Sequence, residues 1–238
     1  MINMGYITKK EVKNNLEIEL NNLLSFIGYK FKKGKNTFIK YTNNGFGMLV
    51  FAVTDDFNLS KNEVCWKIDA NFFVRFDIIH QWFEPFDIRD KKDLKNVWSK
   101  GESINTNFKS NLSIDVDDVD AKNKIKKIAL IIVKEFTNFI NENNTLEKLE
   151  KAILPKQISE LEDISDYKYF NVNYAIVILS LAKILKRSDF ENIINISRDK
   201  INQLVKVGDP MAKVYINKFE DIIYKLQSNE FNDFKHSI

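Results

Sequence analysis

Cysteine is almost missing from this chain, and that scarcity sets the first boundary. Cys65 stands alone, so no internal disulfide can form and the fold must be held by a packed core in a reducing setting. Glycine and proline are scarce too, seven and three in 238 residues, which favours long regular elements over tight turns. Arginine occurs only at Arg75, Arg89, Arg187 and Arg198. Bidentate recognition of phosphate or guanine would therefore rest on very few positions. The two histidines, His80 and His236, come without HxxxH or CxxC spacing, so no metal site and no cofactor is expected. Neither sign of charge is in strong excess: 36 basic residues against 33 acidic leave a net +3, which excludes a strong nucleic-acid or membrane field over the whole molecule. The longest apolar stretches, Ile128 to Val133 and Tyr174 to Leu179, fall far short of the roughly 20 residues that span a bilayer. The first fifteen residues lack the apolar core of a signal peptide, so a cytoplasmic protein is expected.

What is present is a globular composition, 44% hydrophobic and 29% charged, with length enough for one large domain or two small ones. Thr8 to Glu11 has the spacing of a capping box. Val12, Leu16, Leu20, Leu23, Leu24 and Ile27 then recur at helical spacing, and Gly28 sits where a helix is capped. After Gly28 the period becomes two. Residues 36 to 42 and 46 to 54 read as strands joined at Asn43-Asn44-Gly45, a hairpin signal. Residues 55 to 62 read as a polar loop. Val64, Trp66, Ile68, Ala70, Phe72, Val74, Phe76 and Ile78 alternate strictly with polar neighbours. They predict a long strand, bent or bulged, in an antiparallel sheet with one dry face against the first helix. Residues 80 to 101 read as a surface excursion or short helix, and Leu112, Ile114 and Val116 as a last strand.

From there the pattern is helical. A helix follows the acidic run Asp117, Asp118, Asp120 and ends near Asn141. A short one covers 146 to 154, stopped at Pro155. Residues 172 to 185 are apolar nearly all round and predict a buried central helix. Ser188-Asp189-Phe190-Glu191 reads as a second capping box, opening a helix that ends at Gly208. Asp209-Pro210 reads as a cap followed by proline at the first helical position. The last helix carries Met211, Val214, Tyr215, Ile222, Ile223 and Leu226, and the tail after Asn229 reads as loose. The expected fold is α+β: an N-terminal helix packed on an antiparallel sheet, then a C-terminal helical bundle. The expected division is an α+β domain over 1–142, closed by a helix, and a helical region over 143–238, separate or packed as one unit with the first.

Candidate sites are few. The acidic cluster at 115–120 lacks the glycine and the ligand spacing of a calcium loop, and helix capping explains it. Lys67, Asp69, Asn71, Arg75 and Asp77 fall on one side of the long strand, and with His80 they make a hydrolase-like arrangement in which Asp69, Asp77 and His80 act as acid and base. A solvated sheet face reads identically. Cys65 has no base within local reach and reads as an inert thiol. Tyr29, Phe31, Phe38 and Tyr41 interleave with Lys30, Lys32, Lys33, Lys35 and Lys40. That pattern suits single-stranded nucleic acid, but also an edge strand guarded by lysines. Trp82, Phe83, Phe86 and Trp98 stand among charges, near Arg75 and His80. They read as aromatic anchors of a protein-binding surface, or as a satellite core under a long loop.

The residues Leu24-Ser25-Phe26-Ile27-Gly28-Tyr29-Lys30-Phe31-Lys32-Lys33-Gly34, then Thr37-Phe38, then the Phe72 to Phe76 strand, resemble a bacterial domain-of-unknown-function family, the one numbered four-three-zero-four. The resemblance covers the first half of the chain. It implies a helix, a glycine cap and a strand, and an association with bacterial accessory and immunity-type proteins. It carries no catalytic residue over. The leading expectation is thus a non-enzymatic protein-binding module of immunity or adaptor type that occludes another protein. An enzyme using the polar strand face and a nucleic-acid binder using the lysine-rich hairpin are the alternatives.

Overall fold

The computed structural model describes residues 6–59, 62–87, 97–104, 112–154, 172–228 and 231. The architecture is α+β, with a helix first, then an antiparallel sheet, then helices. Two compact units share the chain. One comprises Met1–Arg75 and Lys100–Asn141, the other Phe76–Ser99 and Glu142–Ile238. In sequence the units meet at 75/76, 99/100 and 141/142.

The first unit opens with α1 (Lys9–Leu24), held at its start by the predicted box: Thr8 accepts from the Glu11 N–H while the Glu11 carboxylate accepts from the Thr8 N–H at 2.8 Å. Val12, Leu16, Leu20 and Leu24 are wholly buried, the stripe that 3.6 residues per turn places on one side. A 3-10 turn, Ser25–Ile27, ends at Gly28 with φ +87°, a left-handed conformation that costs an L side chain about 1–2 kcal/mol. The sheet follows, with β1 (Lys30–Lys32), β2 (Thr37–Thr42), β3 (Gly45–Asn58), β4 (Glu63–Phe76), β5 (Lys100–Ser103) and β6 (Ser113–Asp115). Its order is β1-β2-β3-β4-β5, with β6 also on β4. The hairpin turns at Asn43-Asn44, since Thr42 pairs Gly45. The expected loop at 55–62 is shorter, because β3 continues to Asn58.

The long alternating strand is one continuous element with β3 on one edge and two partners in succession on the other, β6 opposite Cys65 to Lys67 and β5 opposite Asn71 to Val74. Ile68, Ala70, Phe72 and Val74 are buried on one face, whereas Val64 at the strand's start is exposed. Trp66 is half-buried and donates its indole N–H to the Ile7 carbonyl at 2.9 Å. The dry face is closed by α1 and by α3 (Ala121–Glu142), whose Phe136 and Phe139 rings lie 5.5 and 5.9 Å from Phe72. Gly47 is where β3 passes closest to that layer: a β-carbon there would lie 2.8 Å from Tyr29 Oη and 2.9 Å from Ile140 Cδ1.

The second unit holds α2 (Asp77–Gln81), α4 (Leu146–Ile153), α5 (Val172–Ile184), α6 (Phe190–Lys206) and α7 (Pro210–Gln227). α5 is the predicted buried helix, with ten of its thirteen residues buried, and α2, α4, α6 and α7 all pack on it. Asp209 caps α7 as expected, accepting from the Ala212 N–H at 2.7 Å. The second capping box does not form. The helix starts one residue later than the box requires, with Asp189 rather than Ser188 at the cap, and the Asp189 carboxylate makes no cap bond but accepts from Arg187 Nε and Nη2 at 2.7 and 2.5 Å. On α7 the buried set is Ala212, Tyr215, Phe219, Ile222, Ile223 and Leu226, while Met211 and Val214 are exposed. The tail is not loose throughout: Phe231 is 1% exposed and meets the Trp82 ring edge-on at 5.5 Å.

Candidate functional site

The proposed aromatic surface around residues 82–98 is largely core. Trp82 and Phe83 are 1% and 2% exposed, so neither can anchor a partner. Trp82 donates its indole N–H to Ser180 Oγ on α5 at 3.0 Å, and Ser180 donates onward to the Ile176 carbonyl at 2.6 Å. Phe83 packs against Tyr215, and Phe86 is half-buried beside Trp82 and Phe83 with Lys225 Nζ 5.7 Å from its ring centre. Trp98 alone of this group is exposed, while Arg75 and His80 are half-buried. The physical reason is bulk: an excursion carrying two large apolar rings finds more apolar area against α5 and α7 than water allows.

The acid–base arrangement is broken by the end of β4. Asp77 does not continue the strand face but opens α2 in the second unit, with His80 in the last turn of that helix. Asp69 stays on the strand, with Thr54 Oγ1 at 3.5 Å and Lys67 Nζ at 3.7 Å. His80 Nε2 lies 3.0 Å from Ser99 Oγ, and the same hydroxyl accepts from the Phe76 N–H at 2.9 Å. Ser99 is buried, and its oxygen is already engaged by the backbone. The pair fastens residue 99 to 76 and 80. Cys65 is buried beside Asp56 and Asp115. Burial first, then those two charges, push its thiol up, away from the thiolate form that a nucleophile needs. Asp118 accepts from the Asp120 N–H and pairs with Lys124, so the acidic run serves the start of α3. Among the described residues no group of three or more His, Cys, Asp or Glu is placed to hold a metal. His236 and Arg89 lie outside the described residues.

The lysine-rich segment is different. Lys30, Lys32, Lys33, Lys35 and Lys40 are all exposed at the β1–β2 side of the first unit. Between Glu19 and Asp55 the chain carries these five lysines and no acidic residue at all. That window alone is +5 against +3 for the whole protein. Two of the five are tied to their surroundings: Lys32 Nζ donates to Tyr41 Oη at 2.9 Å, and Lys40 Nζ donates to the Ile27 carbonyl at 2.9 Å. Lys30, Lys33 and Lys35 have no ion pair among the described residues.

The aromatics of the segment divide between two roles. Tyr29 and Phe38 are core, Tyr29 meeting the Phe136 ring at 5.0 Å and its burial pushing the phenol up to about 12. Tyr41 is 64% exposed, and the turn just before β1 holds Phe26 at 90% and Ile27 at 44%. Phe26 is the residue that the reading of composition and spacing passed over. The helical stripe that ends in Leu24 and Ile27 does not include it, and it was not among the candidate residues. The signal that would have found it is the one-signed charge window in which it sits.

No family model, no curated protein and no solved structure matches this chain. No helix is long and apolar enough to cross a membrane, among the described residues.

Proposed function

We propose that the protein is a non-enzymatic, cytoplasmic protein-binding module of the bacterial immunity or adaptor type, and that it docks on an acidic partner through the β1–β2 side of the first unit. One observation carries this reading: five exposed lysines with no acidic neighbour in sequence share one stretch of the chain with exposed Phe26, Ile27 and Tyr41. Apolar anchors inside a rim of one charge are what a protein interface needs, the anchors supplying affinity and the charges steering and selecting the partner. Lys30, Lys33 and Lys35 make no ion pair among the described residues, so their concentration is better explained by a partner of opposite charge. The resemblance to a family associated with immunity-type proteins points the same way, and the lone buried cysteine suits the cytoplasm. The expected site moves accordingly, from Trp82, Phe83 and Phe86 to Phe26, Tyr41 and the lysines.

The test is capture from an extract of the native cell, followed by titration of the purified captured protein. Wild-type protein should bind, with an affinity that falls as salt rises. Phe26→Ala, and the combination Lys30→Glu, Lys33→Glu and Lys35→Glu, should each weaken binding at least tenfold with an unchanged circular-dichroism spectrum. Binding unaffected by both would remove this surface. A nuclease-sensitive capture, or tight binding to oligo-dT with a steep salt slope, would favour nucleic acid instead.

A further inference from the structure

The β1 edge has the makings of a strand acceptor. Among the described residues β1 has a single strand neighbour, β2, in the register Lys30 with Ile39, Phe31 with Phe38 and Lys32 with Thr37. Among the described residues no strand pairs with its outward N–H and C=O groups, the row to which a further strand adds. The two faces of this short edge differ. Lys30 and Lys32 point to one side, and Phe31 to the other. Phe31 is the outer end of an aromatic row on the dry face: its ring lies 4.8 Å from Phe38, and Phe38 lies 6.2 Å from Phe51. Phe38 and Phe51 are buried, but Phe31 is only half-buried, so the row stops one strand short of being covered.

We propose, building on the docking surface above, that this edge takes an extended segment of a protein partner as a seventh strand on the six-stranded sheet, and that the segment reads acidic–apolar–acidic. Directly opposite residues share a face. Acidic side chains would meet Lys30 and Lys32, and the apolar one between them would cover Phe31. The same lysines repel a second copy of this edge, whose charges are identical, so the device selects an acidic strand while blocking self-pairing. Main-chain hydrogen bonds would supply the pairing and the alternation would supply the register.

The experiment uses the full chain and labelled seven-residue probes. One is alternating Glu and Val with capped ends. Two are the same peptide N-methylated at alternate amides, one version for each register. The others are an all-Glu peptide and oligo-dT. Fluorescence anisotropy gives affinity, and hydrogen exchange reads protection at Lys30 to Lys32. The Glu–Val peptide should bind and protect those amides, and one methylated version should bind at least tenfold more weakly than the other. Lys30→Glu with Lys32→Glu should lose the Glu–Val peptide and gain a Lys–Val one. Equal binding of both methylated versions and the parent, absence of protection at β1, or preference for all-Glu or oligo-dT would overturn strand addition. If the captured partner still depends on the lysines while methylation is without effect, the docking reading stands and only the strand mode falls. If neither the partner nor any peptide responds to the lysines, both fall.

Discussion

Ser180 interrupts the apolar run of α5, and the interruption has a purpose at the scale of a single atom. Its hydroxyl accepts the Trp82 indole proton at 3.0 Å and passes its own to the Ile176 carbonyl at 2.6 Å. Both side chains lie in a dry core, where an unpaired N–H costs about 1–3 kcal/mol. Ser180→Ala should therefore lower stability by about that much, read from the midpoint of urea unfolding, although the change makes α5 more apolar. A second residue-scale case is Asp189. Hydrogen bonds from Arg187 are the largest cause holding its carboxyl below the usual 3.8, and burial opposes them. A depressed carboxylate contributes stability above its unfolded value and loses it as pH falls through the folded one. Asp189→Asn should cost about 1–2 kcal/mol near pH 7, and the difference from wild type should vanish as the pH drops below 3.8. A difference that persisted in acid would assign the loss to packing instead.

Between elements, the tightest approach is β3 under Tyr29 and α3. A methyl group at position 47 would lie 2.8 Å from Tyr29 Oη and 2.9 Å from Ile140 Cδ1, and Tyr29 is itself wedged against Phe136 at 5.0 Å. Gly47→Ala should destabilise by about 1–3 kcal/mol through overpacking. Tyr29→Phe removes one of the two clashing atoms, so the double variant should be less destabilised than the sum of the singles, a coupling that a double-mutant cycle measures. Element-scale features of this kind were legible in sequence only where their cause is local. Thr8 with Glu11, Asn43-Asn44 before Gly45, and Asp209-Pro210 each carry their own turn or cap chemistry within four residues. The box at Ser188 to Glu191 was misread because the helix begins at Phe190, which puts Asp189, held by Arg187, at the cap position in place of Ser188. β5 left no trace, since Lys100-Gly101-Glu102-Ser103 has little strand propensity and is a strand through its pairing with residues 71–74. The lysines of the candidate site were plain to see, but which aromatics beside them face water depends on the register of β1 on β2, which no spacing rule supplies.

At the scale of the molecule, the decisive fact is that the helical unit is not contiguous in sequence. It needs residues 76–99 as well as 142–238. Aromatic residues among charges look the same in sequence whether they anchor a partner or fill a core. Trp82 was settled only by a hydrogen-bond partner 98 positions away. The consequence is testable by dissection. A fragment covering 142–238 keeps α4 to α7 but lacks Trp82, Phe83 and Ile79, all at most 2% exposed in the intact protein. Loss of one such aromatic from a core costs about 3–5 kcal/mol, a large part of a typical domain's total. The fragment should therefore keep helical far-ultraviolet dichroism while losing near-ultraviolet signal and cooperative urea unfolding, the signature of a core without specific packing. Adding a peptide spanning 76–99 should restore a cooperative transition, and the same peptide with Trp82→Ala should not. A fragment that unfolds cooperatively alone, with a midpoint close to that of the full chain, would mean that the 76–99 segment decorates a core already complete without it.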